Sequence, residues 1–245
     1  MKKKILITGV AGFIGFHLIK KLIKNKNYSI TIVDNLSRGR IDDGFRKIIQ
    51  LNKIKFLKKD LSKKLVFNTN FDYIFHLAAI VGVSNVEKQP IKTFKNNLSS
   101  TINLIEAFSL KKNKPVFIFF STSEVYQPLL EKKILNFPTS EKQTFIYPNE
   151  FHPRQSYYLS KFFSEIVINL SRIRFIIYRP HNIYGPRMGY SHVVPELFLK
   201  FKNKKKIDVF SPNHKRAFCY IDDAINQILK SCFKKKSLNN VFNIG

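Results

Sequence analysis

Three glycines at fixed spacing constrain the fold of this chain more than any other feature. Gly9, Gly12 and Gly15 lie where an apolar, β-branched run gives way to a segment of helical period. Glycine at such a junction permits a tight turn, close approach of the backbone to a ligand, and close packing of helix on strand. The N–H groups of the first helical turn and the helix dipole then favour an anion. The segment predicts a strand, turn and helix that bind the diphosphate of a dinucleotide, although glycines that merely cap the helix remain an alternative.

The rest of the chain repeats this alternation of strand and helix. Short, mostly apolar runs predict strands at 4–8, 29–34, 54–57, 73–77, 116–121 and 174–178. Segments of helical period predict helices at 13–24, 90–110, 157–170, 193–201 and 222–231. Strands that alternate with helices are typical of a parallel sheet. We predict an α/β fold with a Rossmann-like, doubly wound parallel sheet, in which a polar, proline-containing segment at 128–155 forms a long loop over the site.

The alternation weakens after Pro180, where prolines and glycines become frequent. We therefore divide the chain into a cofactor-binding domain with the catalytic residues, over 1–179, and a small substrate-binding part over 180–245. The two parts are expected to be interleaved.

Charge and cysteine content limit the classes of partner. The net charge is +27, but the lysines are scattered along the chain rather than gathered with aromatic residues into a binding module. This predicts a lysine-rich surface and no nucleic-acid partner, although a phosphorylated substrate would benefit from the positive field. Cys219 and Cys232 form no CxxC pair, which favours a reducing, cytoplasmic location and no metal.

The first residues resemble a signal peptide only superficially. A charged start followed by an apolar stretch has the right composition, but three glycines interrupt the stretch and no small-residue cleavage site follows. No run of 18 apolar residues occurs elsewhere, so no membrane association is predicted.

An acidic residue ends the second predicted strand. Asp34 lies nineteen residues after Gly15, where a carboxylate accepts hydrogen bonds from both ribose hydroxyls of NAD and repels the 2′-phosphate of NADP. NAD is therefore the predicted cofactor. Arg38 leaves NADP as a minority alternative, because a guanidinium in that loop could pair with a phosphate.

A tyrosine and a lysine four residues apart predict the catalytic pair. Tyr157 and Lys161 lie on one face of a predicted helix. The neighbouring ammonium lowers the pKa of the phenol from its usual value of about 10 and so makes it a usable base. Tyr158 points elsewhere and is interpreted as a packing residue.

Polar residues follow the fifth predicted strand, where ligands bind in open parallel sheets. Thr122 can donate a hydrogen bond to a sugar hydroxyl, and Glu124 can act as a second acid or base. The alternative is that the hydroxyl residues only end the strand and that Glu124 is solvated.

Together these motifs resemble the NAD-dependent epimerase/dehydratase family of extended short-chain dehydrogenases/reductases. The similarity covers nearly the whole chain, through the segments 8–15, 33–37, 59–61, 76–79, 97, 121–126, 157–161, 179–187 and 216–223.

The resemblance implies that Tyr157 deprotonates the C4 hydroxyl of a nucleotide sugar while its hydride passes to NAD. Thr122 would polarise that hydroxyl, and Lys161 would bind the nicotinamide ribose. The implied cofactor contacts are Gly9, Gly12, Phe13, Ile14, Gly15, Asp34, Asn35, Ser37, Asp60, Leu61, Leu77, Ala78, Ala79, Tyr157 and Lys161. The implied substrate contacts are Ser123, Asn182, Arg187 and Arg216.

For three of the implied substrate contacts a simpler role stays open. Asn182 and Arg187 could be turn residues, and Arg216 could pair with Asp222 or Asp223.

The fate of the ketosugar is left open by the sequence. Hydride return to the other face gives an epimer, loss of a C5 carboxylate gives a pentose, and loss of the C6 hydroxyl gives a 6-deoxy sugar. The Thr-Ser-Glu triplet at 122–124 resembles UDP-glucuronate decarboxylases and GDP-mannose dehydratases, and Ser123 breaks the Asp-Glu pair of dTDP-glucose dehydratases. Because epimerases are the commonest members, the leading expectation is a UDP-sugar 4-epimerase.

The resemblance also implies a homodimer, formed through the helices at 90–110 and 157–170. Because relatives continue beyond the position that corresponds to Gly245, the expectation is either a shortened sugar lid or a fragment. A catalytically idle, NAD-binding regulatory or scaffold protein is the rival from another class.

Overall fold

The strand order is that of a doubly wound sheet. The structure, a computed structural model, describes residues 2–37, 39, 41–51, 54–148, 150–190, 192–203 and 216–245. Its strands are β1 (Lys3–Thr8), β2 (Tyr28–Asp34), β3 (Lys55–Lys58), β4 (Tyr73–His76), β5 (Val116–Phe120), β6 (Phe175–Pro180), β7 (Asn182–Tyr184), β8 (Phe218–Tyr220) and β9 (Asn240–Ile244). Seven of them form one parallel sheet in the order β3-β2-β1-β4-β5-β6-β9, and β7 pairs with β8 in a small parallel sheet.

Helices cover both faces of the main sheet. They are α1 (Phe13–Leu22), α2 (Asp43–Leu51), α3 (Val83–Lys88), α4 (Pro90–Ser109), α5 (Gln127–Glu131), α6 (Gln155–Leu170), α7 (Val193–Asn203) and α8 (Ile221–Ser231). Buried residues of α1, α2 and α8 form a core with one face of the sheet. Buried residues of α4 and α6 form a second core with the other face.

Strand β5 shows why its sequence is continuously apolar. All of its residues are buried; Val116, Ile118 and Phe120 belong to the first core, while Phe117 and Phe119 belong to the second. Since side chains alternate between the faces of a sheet, a strand covered on both faces has no polar position. The predicted α/β class and doubly wound sheet are thereby confirmed.

Several elements were absent from the prediction. The six predicted strands and five predicted helices are present, with ends displaced by up to two residues. The prediction omitted α2, α3, α5, β7, β8 and β9. The expectation of a loop throughout 128–155 was wrong at its start, because Pro128 lies inside α5 and proline is well tolerated in a first helical turn.

The chain after residue 180 is closely joined to the main sheet. Strand β9 pairs with β6 along its edge, and α8 packs against α1. The predicted boundary at residue 179 falls within β6, so the two predicted parts share one sheet. Their division into domains stays a prediction.

The topology brings the predicted site residues to one edge. Strands β1 and β4 are neighbours, although the chain first runs outward through β2 and β3. In open parallel sheets, ligands bind outside the carboxyl ends of the strands where the order reverses. The glycine turn after β1, Ala78 after β4 and Thr122 after β5 all follow carboxyl ends at this edge.

Candidate active site

The glycine turn is packed so closely that side chains do not fit. Gly9 has a φ of +71°, and a Cβ there would lie 2.6 Å from the Ala78 backbone nitrogen. A Cβ on Gly15 would lie 2.5 Å from the Gly9 carbonyl oxygen. Gly12 is the N-cap of α1, with no side chain capping that end and no acidic residue in the first turn. The first N–H groups of α1, at Phe13 and Ile14, therefore suit a diphosphate.

Asp34 lies beside this turn. One carboxylate oxygen accepts from the Ala11 N–H at 3.0 Å, and the other accepts from the Leu36 N–H at 2.8 Å. Each oxygen keeps lone-pair capacity for a ribose hydroxyl. The Asn35 side chain accepts from the Ser37 N–H at 3.0 Å and so shapes the loop after β2. Arg38, which bears on the choice between NAD and NADP, lies outside the described residues.

The remaining predicted cofactor residues lie along the same edge. The Ala78 N–H donates to Thr8 Oγ1 at 3.2 Å, and the Leu77 N–H donates to the Thr8 carbonyl at 3.3 Å. Asp60 accepts from the Ser62 N–H and hydroxyl, and Leu61 is buried. The predicted wall of Leu77, Ala78 and Ala79 therefore starts directly against the end of β1.

A buried polar chain behind this wall was not predicted as part of the site. Thr8 Oγ1 lies 2.8 Å from His76 Nδ1, and His76 Nε2 lies 3.2 Å from Thr101 Oγ1. Burial, and then the charge of Lys161, hold the pKa of His76 well below its usual range, so the ring is neutral. Sequence reasoning saw His76 only as part of a family motif.

Asn97 extends this polar chain towards α6. Its side chain is hydrogen-bonded to both backbone groups of Ile80 and donates to Ser160 Oγ at 3.2 Å. Ser160 in turn donates to the Tyr157 carbonyl at 2.6 Å. The cofactor wall and the predicted catalytic helix are thus connected through buried side chains.

Lys161 is held at the end of β5. It is 3% exposed, its Nζ donates to the Phe120 carbonyl at 2.7 Å, and it lies 4.7 Å from the Phe119 ring centroid. Burial lowers the pKa of Lys161 to about 7, although Glu165 opposes the shift. Tyr157 is half-buried one helical turn before it. Helix α6 thus brings Lys161 against the strand that precedes Thr122, with Tyr157 one turn earlier on the same helix.

Tyr158 is buried beside this pair and differs from Tyr157. It is 4% exposed, and no hydrogen-bond partner is found for its hydroxyl within the described part of the chain. Burial raises the pKa of Tyr158 to about 12. The Tyr158 hydroxyl therefore ionises less readily than that of an exposed tyrosine.

The predicted Thr-Ser-Glu triplet begins a 3₁₀ helix, Ser123–Tyr126. Thr122 is its N-cap, and the Thr122 hydroxyl oxygen accepts from the Glu124 N–H at 3.2 Å. Burial raises the pKa of Glu124, while the guanidinium groups of Arg154 and Arg216 oppose the shift. Glu124 is therefore more easily protonated than a solvated glutamate.

The four predicted substrate residues lie in two separate parts of the structure. Asn182 in β7 donates to the Ala217 carbonyl at 2.9 Å, which brings it beside Arg216, and Arg216 acts electrostatically on Glu124, the neighbour of Ser123. Arg187 is directed elsewhere: its guanidinium pairs with Asp42 and lies 3.8 Å from the Phe16 ring centroid. The recorded contacts of Arg187 therefore join it to the cofactor side.

The described residues offer neither a metal site nor a membrane-spanning helix. Within the described ranges, no group of His, Cys, Asp and Glu side chains could hold a metal ion. Among the helices that the structure describes, none is long and apolar enough to cross a membrane. The expected cytoplasmic location and the expected lack of a nucleic-acid partner stay predictions.

Comparisons with known proteins place this arrangement among relatives. The chain is 34% identical to a UDP-N-acetyl-alpha-D-glucosaminuronate decarboxylase from Bacillus cytotoxicus, over 100% of the chain and 75% of that protein. It is 33% identical to a dTDP-D-glucose 4,6-dehydratase from Dictyostelium discoideum, over 99% of the chain but only 58% of that protein. The relatives are thus longer than the chain.

A solved structure supports the cofactor and the fold. A variant UDP-glucuronic acid 4-epimerase from Bacillus cereus, in complex with a fluorinated UDP-sugar and NAD, superposes with a TM-score of 0.80 at 29% identity, over 99% of this chain and 77% of that one. The model of the NAD dependent epimerase/dehydratase family matches residues 5–245. This chain therefore belongs to the NAD-dependent epimerase/dehydratase family, whose cofactor is NAD.

Proposed function

We propose that this chain oxidises the C4 hydroxyl of a UDP-sugar and then reduces the 4-ketosugar. The observation that carries the proposal is the attachment of Lys161 to the Phe120 carbonyl, which brings the Tyr157 helix to the polar end of β5. Bound NAD supplies the reversible acceptance of hydride from C4. The residues of the chain supply the base, the orientation of the sugar and the binding of both diphosphates.

Tyr157 acts as the base towards the C4 hydroxyl. A phenol has a pKa near 10 in water, and a nearby positive charge lowers it. Because burial lowers the pKa of Lys161 to about 7, both its charged and its neutral form are populated near neutral pH. Lys161 therefore provides the charge that stabilises phenolate and can also relay a proton. Thr122 can donate a hydrogen bond to the same sugar hydroxyl.

Two positively charged or electropositive places on the chain suit the diphosphates of the cofactor and of the substrate. The uncapped N-terminus of α1 at Gly12 suits the cofactor. Arg216, with Asn182 beside it, suits the substrate, because a guanidinium fork matches phosphate oxygens.

Epimerisation at C4 is the fate we propose for the ketosugar. Hydride return to the opposite face uses the same tyrosine, now as an acid, and requires no further group on the protein. This makes a UDP-sugar 4-epimerase the simplest use of the site.

Glu124 favours a second candidate, decarboxylation of a C5 carboxylate. Loss of CO₂ from a 4-ketouronate leaves an enolate that must be protonated at C5. Glu124 has a raised pKa and lies within electrostatic reach of Arg154 and Arg216, whose charges suit a substrate carboxylate. Such an acid has no necessary role in 4-epimerisation.

Product analysis by NMR tests the proposal. The protein is incubated with NAD and, separately, UDP-glucose, UDP-galactose, UDP-N-acetylglucosamine, UDP-glucuronate, GDP-mannose and dTDP-glucose. A 4-epimer from one of the UDP-sugars supports the proposal, whereas a UDP-pentose supports the second candidate. With the second outcome, Glu124→Gln should abolish pentose formation but leave C4 oxidation, seen as absorbance near 340 nm.

An idle NAD-binding protein would behave differently. It would form no product and no 340 nm absorbance with any sugar, and Tyr157→Phe would change nothing. A strongly salt-dependent affinity for DNA would then indicate the regulatory role instead.

We also propose that the chain is a homodimer through α4 and α6. These helices pack on each other and leave apolar side chains exposed, among them Ile91 at 83%, Ile166 at 38% and Leu170 at 76%. Analytical ultracentrifugation should give twice the chain mass, and Ile166→Glu should give the monomer. A monomeric parent protein would refute this.

A further inference from the structure

Arg179, at the end of β6, is 2% exposed and uses every edge of its guanidinium. Its Nη2 donates to Glu165 Oε2 at 2.6 Å, and its Nε donates to Glu165 Oε1 at 3.1 Å. Glu165 is itself 5% exposed. A buried carboxylate and guanidinium persist only when they are paired and fully hydrogen-bonded, and this bidentate pair meets that condition.

Glu165 also holds the residue that precedes Thr122. Its Oε1 accepts from Ser121 Oγ at 2.5 Å. Lys161, one helical turn earlier, donates to the adjacent Phe120 carbonyl. Side chains of helix α6 are therefore hydrogen-bonded to two consecutive residues, Phe120 and Ser121. These two residues directly precede the predicted catalytic Thr122.

The other edge of Arg179 reaches the 3₁₀ helix and the segment after α5. Its Nη1 donates to Tyr126 Oη at 2.7 Å and to the Glu141 carbonyl at 3.1 Å. The guanidinium carbon lies 5.1 Å from the Tyr126 ring centroid and 4.9 Å from that of Phe145. Tyr126 ends the 3₁₀ helix that Thr122 caps.

Asn243 of strand β9 is hydrogen-bonded to the same group of residues. Tyr126 Oη donates to Asn243 Oδ1 at 3.0 Å, and the Asn243 N–H donates to Glu141 Oε1 at 3.0 Å. The Asn243 side chain also donates to the Thr139 carbonyl at 2.9 Å. One guanidinium thus connects the catalytic helix, the polar end of β5 and the segment that was predicted to cover the site.

We propose that Arg179 is a positioning residue that sets the placement of Thr122 and Glu124 relative to Tyr157 and anchors the segment around Glu141 to the same point. Among the described residues, Arg179 acts through its contacts with Glu165, Tyr126 and Glu141. The planar fork of arginine is required, since a lysine ammonium is a point charge that cannot serve two separated edges. This inference rests on the proposed function, because positioning is defined relative to the reaction at Tyr157.

Two variants and a matched control test the inference. Tyr126→Phe keeps the ring but removes the hydroxyl that accepts from Arg179 and donates to Asn243, and Arg179→Lys keeps only the charge. Tyr178→Phe is the control, because it removes an equally buried hydroxyl from β6 that bonds Ser231 and the Ile228 carbonyl instead. We expect kcat per folded molecule to fall about tenfold in Tyr126→Phe and more in Arg179→Lys, with little change in the Kd for NAD. Tyr178→Phe should stay within about twofold of the parent kcat.

Hydrogen exchange supplies a readout that does not require turnover. Arg179→Lys should accelerate exchange in peptides that cover 121–127 and 139–145, but not in the glycine turn at 9–22. If the parent protein converts no sugar, the proposed function fails while exchange still tests the linkage. Unchanged kcat in both variants, equal losses in the Tyr178→Phe control, or unchanged exchange in both peptides would overturn the inference.

Discussion

The glycine turn and the end of β5 lie at the same edge of one sheet, but the first consists of closely packed backbone and the second of buried charged side chains. The turn is made of backbone, with Gly9 and Gly15 packed where no Cβ fits. The end of β5 is made of buried charged side chains, with Lys161, Glu165 and Arg179 each 5% exposed or less. The first region offers backbone N–H groups that need no side chain, whereas the second holds ionisable side chains away from water.

This difference changes how each region responds to substitution. In the turn, added atoms cause a steric clash that is the same at every pH. At the end of β5, burial shifts proton affinities, so the consequences depend on pH. Substitutions in the two regions should therefore differ both in the size of their effects and in the dependence of those effects on pH.

Tyr157→Phe should lower kcat about a thousandfold, because it removes the base but little volume. The matched control is Tyr158→Phe, which removes a buried hydroxyl that lacks a partner among the described residues. That control should keep its activity, with stability equal to or slightly above the parent. Steady-state kinetics and urea unfolding measure both. Equal activity losses in the two variants would contradict the assignment of Tyr157.

Gly9→Ala should destabilise the fold by about 3 kcal/mol or more, because its Cβ would meet the Ala78 backbone at a positive φ. Gly44→Ala is the control, since a Cβ in this helical position has only ordinary contacts, the nearest at 3.4 Å. The control should be neutral or stabilising by up to about 1 kcal/mol. Both effects should be unchanged between pH 7 and pH 9 in urea unfolding.

Lys161→Met should remove a pH-dependent contribution that lowers the free energy of unfolding of the parent protein. The folded protein holds the pKa of Lys161 at about 7, below its value of 10.5 in the unfolded chain. Between these values the unfolded state binds more protons, so the stability of the parent rises with pH. The parent should gain about 2 kcal/mol relative to Lys161→Met from pH 7 to pH 9. If the difference in unfolding free energy between the two proteins is the same at pH 7 and pH 9, Lys161 stays charged in the folded protein.

Asp34→Asn should weaken NAD binding about tenfold and reduce the preference over NADP, because the neutral amide no longer repels a 2′-phosphate. Asp43→Asn is the surface control, since its side chain is 90% exposed and pairs with Arg46 at 3.8 Å. Fluorescence titration with each cofactor measures the change. An unaltered NADP to NAD ratio would remove Asp34 from the predicted determinants of cofactor choice.

Local patterns predicted what depends on neighbours in sequence. The glycine spacing gave the turn because glycine is required there within a few residues, and the apolar run at 116–120 gave a strand buried on both faces. Strand β9 was missed because Asn240–Ile244 is short, and its sequence is neither apolar throughout nor strictly alternating. It is a strand only because β6 offers its unpaired backbone groups.

Local sequence patterns did not predict contacts between residues that are far apart in the sequence. Arg187 was assigned to the substrate by resemblance, yet it pairs with Asp42, 145 residues away. The bond from Tyr126 to Asn243 spans 117 residues. Neither pair carries a sequence signal of its own, because any arginine or asparagine can form such bonds once the sheet has brought the partners together.

The sequence by itself determined the class of fold, the tight turn at Gly9 and the placement of Tyr157 and Lys161 one turn apart on one helix, since helix period and glycine geometry are local properties of the chain. The tertiary structure alone decided that Lys161 is buried against the Phe120 carbonyl and that Arg179 joins three elements. Burial and hydrogen-bond partners depend on which strands become neighbours, and that order is settled by packing across the whole sheet.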